Sequence, residues 1–270
     1  MTKEMTNKQE TLEKFEQLLV VLSELREKCP WDKAQTIDTL RLLTIEETYE
    51  LSESILNHDV DEIKKELGDL LLHIVFYAKI AEEKSWFAIA DVMESLIEKL
   101  KHRHPHIYGN TQANSAKEVE ENWEQIKLKE KDRKKQVLSG VPTSLPPVIK
   151  AFRIQQKARG VGFDWEYKEQ VWDKVTEELN ELKDEIAGYE DDPNRMEQEF
   201  GDLLFSMINA GRLYNIDPEK ALEMTNKKFI SRFNYLESQT IAKGNSLHDM
   251  SLDEMEVIWQ EAKKYDNKNK

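Results

Sequence analysis

Two short blocks of acidic residues could do chemistry, and they occur in the same order twice. The first half carries Glu46-Glu47-Thr48-Tyr49-Glu50, then Glu66-Leu67-Gly68-Asp69-Leu70-Leu71. The second half carries Glu177-Glu178-Leu179-Asn180-Glu181, then Glu199-Phe200-Gly201-Asp202-Leu203-Leu204. Within each block the carboxylates stand three residues apart, so on a helix they leave from one face. Glu47 and Glu50 would face Glu66 and Asp69 across two antiparallel helices, and Glu178 and Glu181 would face Glu199 and Asp202. Four converging carboxylates repel one another and raise their own pKa values unless a cation sits among them. All-oxygen ligation suits a hard divalent ion, Mg²⁺ with Mn²⁺ as the alternative. A single acidic pair at this spacing is ordinary solvated helix surface. The ordered duplication, with an apolar stretch after each Gly-Asp, argues for ligation instead.

Positive charge stands where a phosphate clamp would need it. Lys99 and Arg103 lie one turn apart late in the first copy, and Lys228 and Arg232 hold the equivalent places in the second. In isolation such pairs are structural ion pairs, but beside a metal site they become ligands for triphosphate oxygens. No Gly-rich phosphate loop or Ser/Cys nucleophile pattern is present, so a covalent intermediate is not expected.

The elements that must position these groups read as helices throughout. Phe15, Leu18, Leu19, Leu22 and Leu25 recur at the spacing of a buried helical stripe. A loop follows at Cys29-Pro30-Trp31-Asp32. Helices are expected over about Thr36–Leu56, Val60–Glu82 and from Ser85, as N-cap, to His104-Pro105. Leu70, Leu71, Ile74 and Val75 suggest that the Asp69 helix is largely buried. A second four-helix set begins near Pro147. Asp217-Pro218 opens its last long helix, and Ser251 with Glu254 forms a capping box for a terminal helix carrying Trp259. The expected fold is all-α: two tandem four-helix modules over residues 1–110 and 146–270, joined by a charged helical linker over 111–145.

Composition narrows the function. The 53 acidic residues outnumber the 39 basic ones, for a net charge of −14, which disfavours extended nucleic acid as a partner. One cysteine, Cys29, excludes an intramolecular disulfide. Residues 1–10 lack the apolar core of a signal peptide, and the longest apolar run, Leu70–Ile80, is broken by His73 and Lys79. No membrane association and a cytoplasmic location are expected. His73, His102, His104 and His106 raise zinc as an alternative, but His104-Pro105-His106 reads better as a helix-ending turn.

With Cys29-Pro30-Trp31-Asp32, Gln35-Thr36, both acidic motifs, Arg103 to Gly109, Gly162-Phe163-Asp164-Trp165, Asn226 to Phe229 and Arg232-Phe233, the chain resembles the MazG family of nucleoside triphosphate pyrophosphohydrolases over nearly its whole length. The resemblance implies Mg²⁺-dependent cleavage of NTPs and dNTPs, with broad base tolerance, to monophosphate and pyrophosphate by a homodimer. It implies Glu178, Glu181, Glu199 and Asp202 as metal ligands, with Glu47, Glu50, Glu66 and Asp69 as a second set. Lys228 and Arg232 would hold phosphates, helped by Lys174 and Arg195, and Trp259 would lie near the nucleotide, although a core role for this tryptophan is nearly as well supported. Glu177, beside Glu178, would orient or deprotonate the water that attacks the α-phosphorus. Asn209 aligns with Phe76 and Asn226 with Ile97, so the second copy keeps two polar groups for base or sugar and is expected to be the main catalytic unit. The rival readings are a non-catalytic helical protein whose acidic groove binds a basic partner, and a more selective hydrolase acting on dUTP or (p)ppGpp.

Overall fold

A computed structural model describes residues 3–113, 115, 118–119, 122–123, 126–127, 136–188, 193–242, 244 and 246–266. Its regular elements are all helical among these residues, and none of the helices is long and apolar enough to cross a membrane. The chain divides into two compact units, Met1–Ser115 and Ala116–Lys270.

The first unit contains α1 (Lys3–Lys28), α2 (Pro30–Ala34), α3 (Ile37–Asn57), α4 (Val60–Glu83), α5 (Ile89–Arg103) and α6 (Pro105–Tyr108). Leu22, Leu40, Val75, Phe76 and Ile80 form its core, with Phe15, Leu18 and Leu19 packed against them. Leu25, at the end of the expected stripe, lies on the rim and is exposed. Thr36 caps α3 through the backbone N–H of Thr39. The hairpin between α3 and α4 is very tight. His58 takes the left-handed conformation (φ 56°) that ends α3, and the Asp59 carboxylate at once accepts from Glu62 N–H to start α4.

Two local expectations change. Ser85 is not the cap of α5; at φ 57° it turns the chain out of α4, and α5 starts at Ile89, where the Asp91 carboxylate accepts the Ala88 N–H. Nor is α4 buried all round. Val75 and Phe76 are buried at 1–2%, but Leu71 and Ile74, one turn apart on a shared ridge, are 40% and 51% exposed.

The second unit contains α7 (Pro147–Arg159), α8 (Val171–Ala187), α9 (Pro193–Leu213), α10 (Pro218–Ala242) and α11 (Leu252–Asp266), with short 3₁₀ turns at Val137–Gly140, Lys168–Gln170 and Leu247–Asp249. The expected caps are present: Asp217 accepts from Lys220 N–H, and Ser251 and Glu254 exchange backbone N–H bonds. Leu236 and Thr240 of α10 and Ile258 and Ala262 of α11 are buried. In the expected linker, Glu118, Val119, Asn122, Trp123, Ile126 and Lys127 are helical; residues 128–135 lie outside the described residues.

One side chain ties the first unit together. Arg26, at the end of α1, donates from Nε to Glu83 at 2.9 Å, bonds the carbonyls of Asp32 and Gln35, and lies 5.5 Å from the Phe76 ring centroid. It thereby joins α1, the α2 turn and the end of α4. Arg26→Met strands two carbonyls at a site where the arginine is only 10% exposed. It should lower the unfolding free energy of this unit by about 2–3 kcal/mol, measured as a drop in the urea midpoint at unchanged slope. A midpoint within error of wild type would show that the clamp adds nothing.

Candidate active site

The tight α3–α4 hairpin fixes which carboxylates meet. Glu47 and Asp69 stand at equal intervals before and after His58, as do Glu50 and Glu66. Oxygens of Glu47, Glu66 and Asp69 accordingly lie within 4.8 Å of one another. Glu66 is 3% exposed, and its Oε2 has no hydrogen-bond partner among the described residues. Burial, then the charges of Asp69, Glu50 and Glu66, raise the pKa of Glu47; burial and Glu66 do the same to Glu50. Lys65 offsets part of this charge, with Nζ 3.3 Å from Glu66.

The second unit repeats the arrangement on α8 and α9. Oxygens of Glu178, Glu199 and Asp202 lie within 4.8 Å of one another. Glu181 stands at the edge of the cluster; burial raises its pKa, followed by the charges of Glu178 and Glu199. Here Glu178 is the deeply buried member, at 6% exposure. Lys174 sits one turn earlier, 2.7 Å from Glu178 and 3.0 Å from Glu177. These two bonds, that to Glu178 first, hold its ammonium well above the usual lysine range. The donor set of both clusters is carboxylate oxygen only, which fits a hard divalent cation and offers nothing to a soft one. Neither cluster includes a histidine, and His104 instead turns its Nδ1 to the Leu100 carbonyl at 2.6 Å.

What separates the two units is the space beside the cluster. In the second unit a cavity of about 760 Å³ opens onto Lys174, Glu178 and Asp202, with walls from α7, the 162–165 loop, α8 and α9. Its polar lining also includes Gln155, Ser206, Asn209 and an ion pair in which Arg212 grips both oxygens of Asp164. Arg212 then donates from Nε to Asn209 Oδ1 at 2.9 Å. In the first unit three of the corresponding positions are hydrophobic. Phe76 follows Asp69 by the interval at which Asn209 follows Asp202; Leu22 precedes Cys29 as Gln155 precedes Gly162; Leu43 precedes Glu47 as Lys174 precedes Glu178. Leu22 and Phe76 belong to the buried core there, with Leu43 packed against it.

Residues 35–108 and 167–236 match the model of the MazG nucleotide pyrophosphohydrolase domain, one copy in each unit. The chain belongs to the MazG family. It is 43% identical over 92% of its length to a Thermotoga maritima protein named nucleoside triphosphate pyrophosphohydrolase/pyrophosphatase MazG, covering 95% of that protein. It is 39% identical over 94% of its length to the nucleoside triphosphate pyrophosphohydrolase of Escherichia coli K12, covering 98% of it. It is also 41% identical over 92% of its length to Bacillus subtilis YabN, where the match spans 51% of the longer protein. The all-α tandem architecture expected from the sequence is therefore that of two MazG modules in series.

Within the second MazG module, not every residue singled out from the sequence converges. Lys174, Glu178, Asp202 and Asn209 line the cavity, and Glu177 reaches its edge through Lys174. Arg195 is paired with Glu185 at 3.1 Å. Asn226, Lys228, Arg232 and Trp259 lie on α10 and α11 and are not among the residues lining the cavity. Asn226 bonds Glu223, while Trp259 packs on Phe229 with Arg232 5.9 Å from its ring centroid. Conversely, Gln155, Ser206 and the Asp164–Arg212 pair belong to the site and were not singled out. The exchange of Leu22 for Gln155 between the copies was the available signal, visible only once α1 is aligned with α7.

Burial alone would raise the Asp164 carboxyl, but the hydrogen bonds and charge of Arg212, helped by Trp165 N–H and Arg159, hold it below the usual range. A depressed carboxylate contributes stability that is present above its unfolded pKa, about 3.9, and lost as pH falls through its folded value. Asp164→Asn leaves the 6%-exposed Arg212 side chain without its counter-charge. It should destabilise the second module by about 2 kcal/mol or more at neutral pH. That deficit should close as the pH drops below the ordinary carboxylate range. Urea unfolding of both proteins from pH 7 down to pH 3 tests this; a deficit independent of pH would reject the ion pair as its source.

Proposed function

We propose that this protein hydrolyses nucleoside triphosphates, ribo and deoxy and with broad base tolerance, to the monophosphate and pyrophosphate, and that the second MazG module does the work. The observation that carries the reading is the cavity beside Glu178 and Asp202, of a size suited to a nucleoside. A nucleoside seated there delivers the phosphate attached to its ribose to the carboxylate cluster. The bond presented for cleavage is then the one between the α- and β-phosphates. The relatives' printed activity agrees with this geometry.

Glu178, Glu181, Glu199 and Asp202 would hold Mg²⁺, or Mn²⁺ in its place; Glu47, Glu50, Glu66 and Asp69 would form a second, accessory site. When bound, the cation supplies charge neutralisation of the triphosphate and Lewis-acid activation of water. The chain's own groups do the rest. Glu177, half exposed at the edge of the cluster, takes the proton of the attacking water. Lys174 leaves its carboxylate partners for the α-phosphate as the charge develops. Lys228 and Arg232 bind the outer phosphates, with Arg195 assisting, and Asn226 and Trp259 complete the nucleotide contacts. The first module, whose equivalent space is filled by Leu22 and Phe76, serves as an accessory unit, and residues 111–145 connect the two. A basic protein partner fits less well, because Glu178 is too buried to meet one.

We also assign the active form as a homodimer, working in the cytoplasm. The outer faces of the metal-site helices support the dimer: Leu67, Leu71 and Ile74 on α4, and Phe200, Leu204 and Met207 on α9, are all 40–53% exposed in the single chain. Such ridges exceed the isolated exposed apolar residues of a monomer surface. Light scattering should give twice the chain mass for wild type and the single mass for Leu204→Glu/Met207→Glu. A monomeric wild type would remove the assembly.

Product analysis with ATP and dGTP tests the activity. Monophosphate and pyrophosphate should appear with Mg²⁺. Glu178→Gln should lose more than the roughly 10–100-fold typical of groups that merely orient a ligand, while Glu47→Gln stays near wild type. Orthophosphate as the first product would overturn cleavage at the α-phosphorus, and loss confined to Glu47→Gln would move catalysis to the first module.

A further inference from the structure

Resting on the nucleotide-hydrolase reading, we propose that Gln155, in the wall of the cavity, is the residue that reads the nucleobase, accepting a hydrogen bond from a base N–H. Two primary amides line that cavity, and the orientation of each is fixed by a partner that can play only one role. Gln155 Nε2 donates to the backbone carbonyl of Phe205 at 2.8 Å. A carbonyl accepts and never donates, so the amide cannot flip without setting oxygen against oxygen. Its other end is therefore an obligate acceptor. That Oε1 has less than 1 Å² of accessible surface, belongs to a residue only 6% exposed, and has no partner among the described residues. An unpaired buried acceptor is destabilising unless something supplies a donor.

Asn209 is fixed in the opposite sense. Its Oδ1 accepts from Arg212 Nε, and Arg212 is itself held by Asp164 on its far side. A guanidinium only donates, so Asn209 must present its Nδ2 as a donor. The two amides are close neighbours, since the Phe205 carbonyl that holds Gln155 stands one helical turn before Asn209 on α9. Around them the wall is apolar, with Ile154, Ala158, Phe163, Trp165 and Phe205. The cavity thus asks for a flat apolar ligand that offers one hydrogen-bond donor and one acceptor side by side.

Every ordinary nucleobase meets that description. Adenine and cytosine pair an exocyclic amine with a ring nitrogen; guanine and hypoxanthine pair a ring N–H with a carbonyl; uracil and thymine do the same. The site therefore accepts all of them and selects for the presence of a base N–H, not for one base. This separates tolerance among bases from indifference to the base. Gln155 has no counterpart in the first module, where Leu22 takes its place, so an apolar residue at this point is compatible with the fold.

The discriminating substrate is purine riboside triphosphate, which matches ATP but carries hydrogen in place of the 6-amine and has no base N–H. Wild-type protein should cleave ATP with kcat/KM at least roughly tenfold above this analogue. In Gln155→Leu and in the volume-matched Gln155→Met the ratio should fall toward one, chiefly through loss of ATP cleavage. ITP, which keeps an N–H, should follow ATP in wild type. Equal cleavage of ATP and the analogue by wild type, or an undiminished ratio in both folded variants, overturns the assignment while leaving the hydrolase reading intact. Absence of pyrophosphate from every triphosphate would instead remove the hydrolase reading itself.

Discussion

The structure is organised around a repulsion. Each module drives carboxylates from two helices to within 4.8 Å of one another, against their mutual charge and with one member of each set nearly buried. In the first module what holds them there is the covalent shortness of the α3–α4 hairpin. In the first module His58 and Asp59 complete the reversal in two residues, so whatever stands at equal intervals on either side must meet. The helix caps, the Arg26 clamp and the apolar contacts of α1 with α4 serve to keep that hairpin from opening. Raised carboxylate pKa values and the lysines recruited to Glu66 and Glu178 are the electrostatic trace of the same compression.

The two modules resolve the surroundings of that cluster in opposite ways. In the first, the layer beneath the carboxylates is closed by Leu22, Leu40 and Phe76 and contributes a well-packed core. In the second, two amides and a lysine replace hydrocarbon at the matching positions, and a cavity opens there. Burying Gln155 and Arg212 there carries a cost that hydrocarbon would not, since each polar group must be matched or left wanting. Tandem duplication lets one chain hold both solutions at once, a closed core and an open cavity.

Much of this was legible in the sequence. The acidic blocks, their helical spacing and the caps at Asp217 and Ser251 follow from local rules, and local rules hold when the partners lie within a turn or two. The expectation for Ser85 failed because serine caps and turns share a composition, and the choice is made by how α4 ends. Leu71 and Ile74 were misplaced because an apolar stripe says that a face avoids water without saying what covers it. Gln155 and Arg212 went unnoticed for a different reason. Their importance comes from partners in distant segments, Phe205 and Asp164, and no periodicity in either helix marks them.

The Leu22–Phe76 plug also limits what the first module can become. Placing an asparagine at position 76 would set an amide among Leu22, Leu40 and Val75, while a glutamine at 22 alone would face the same hydrocarbon core. Each step toward a receptive pocket is unfavourable until the others have been made, including a cation at 43 and a partner for it. The asymmetry between the halves therefore acts as a ratchet: a single substitution can fill the second module's cavity, whereas opening the first takes several together.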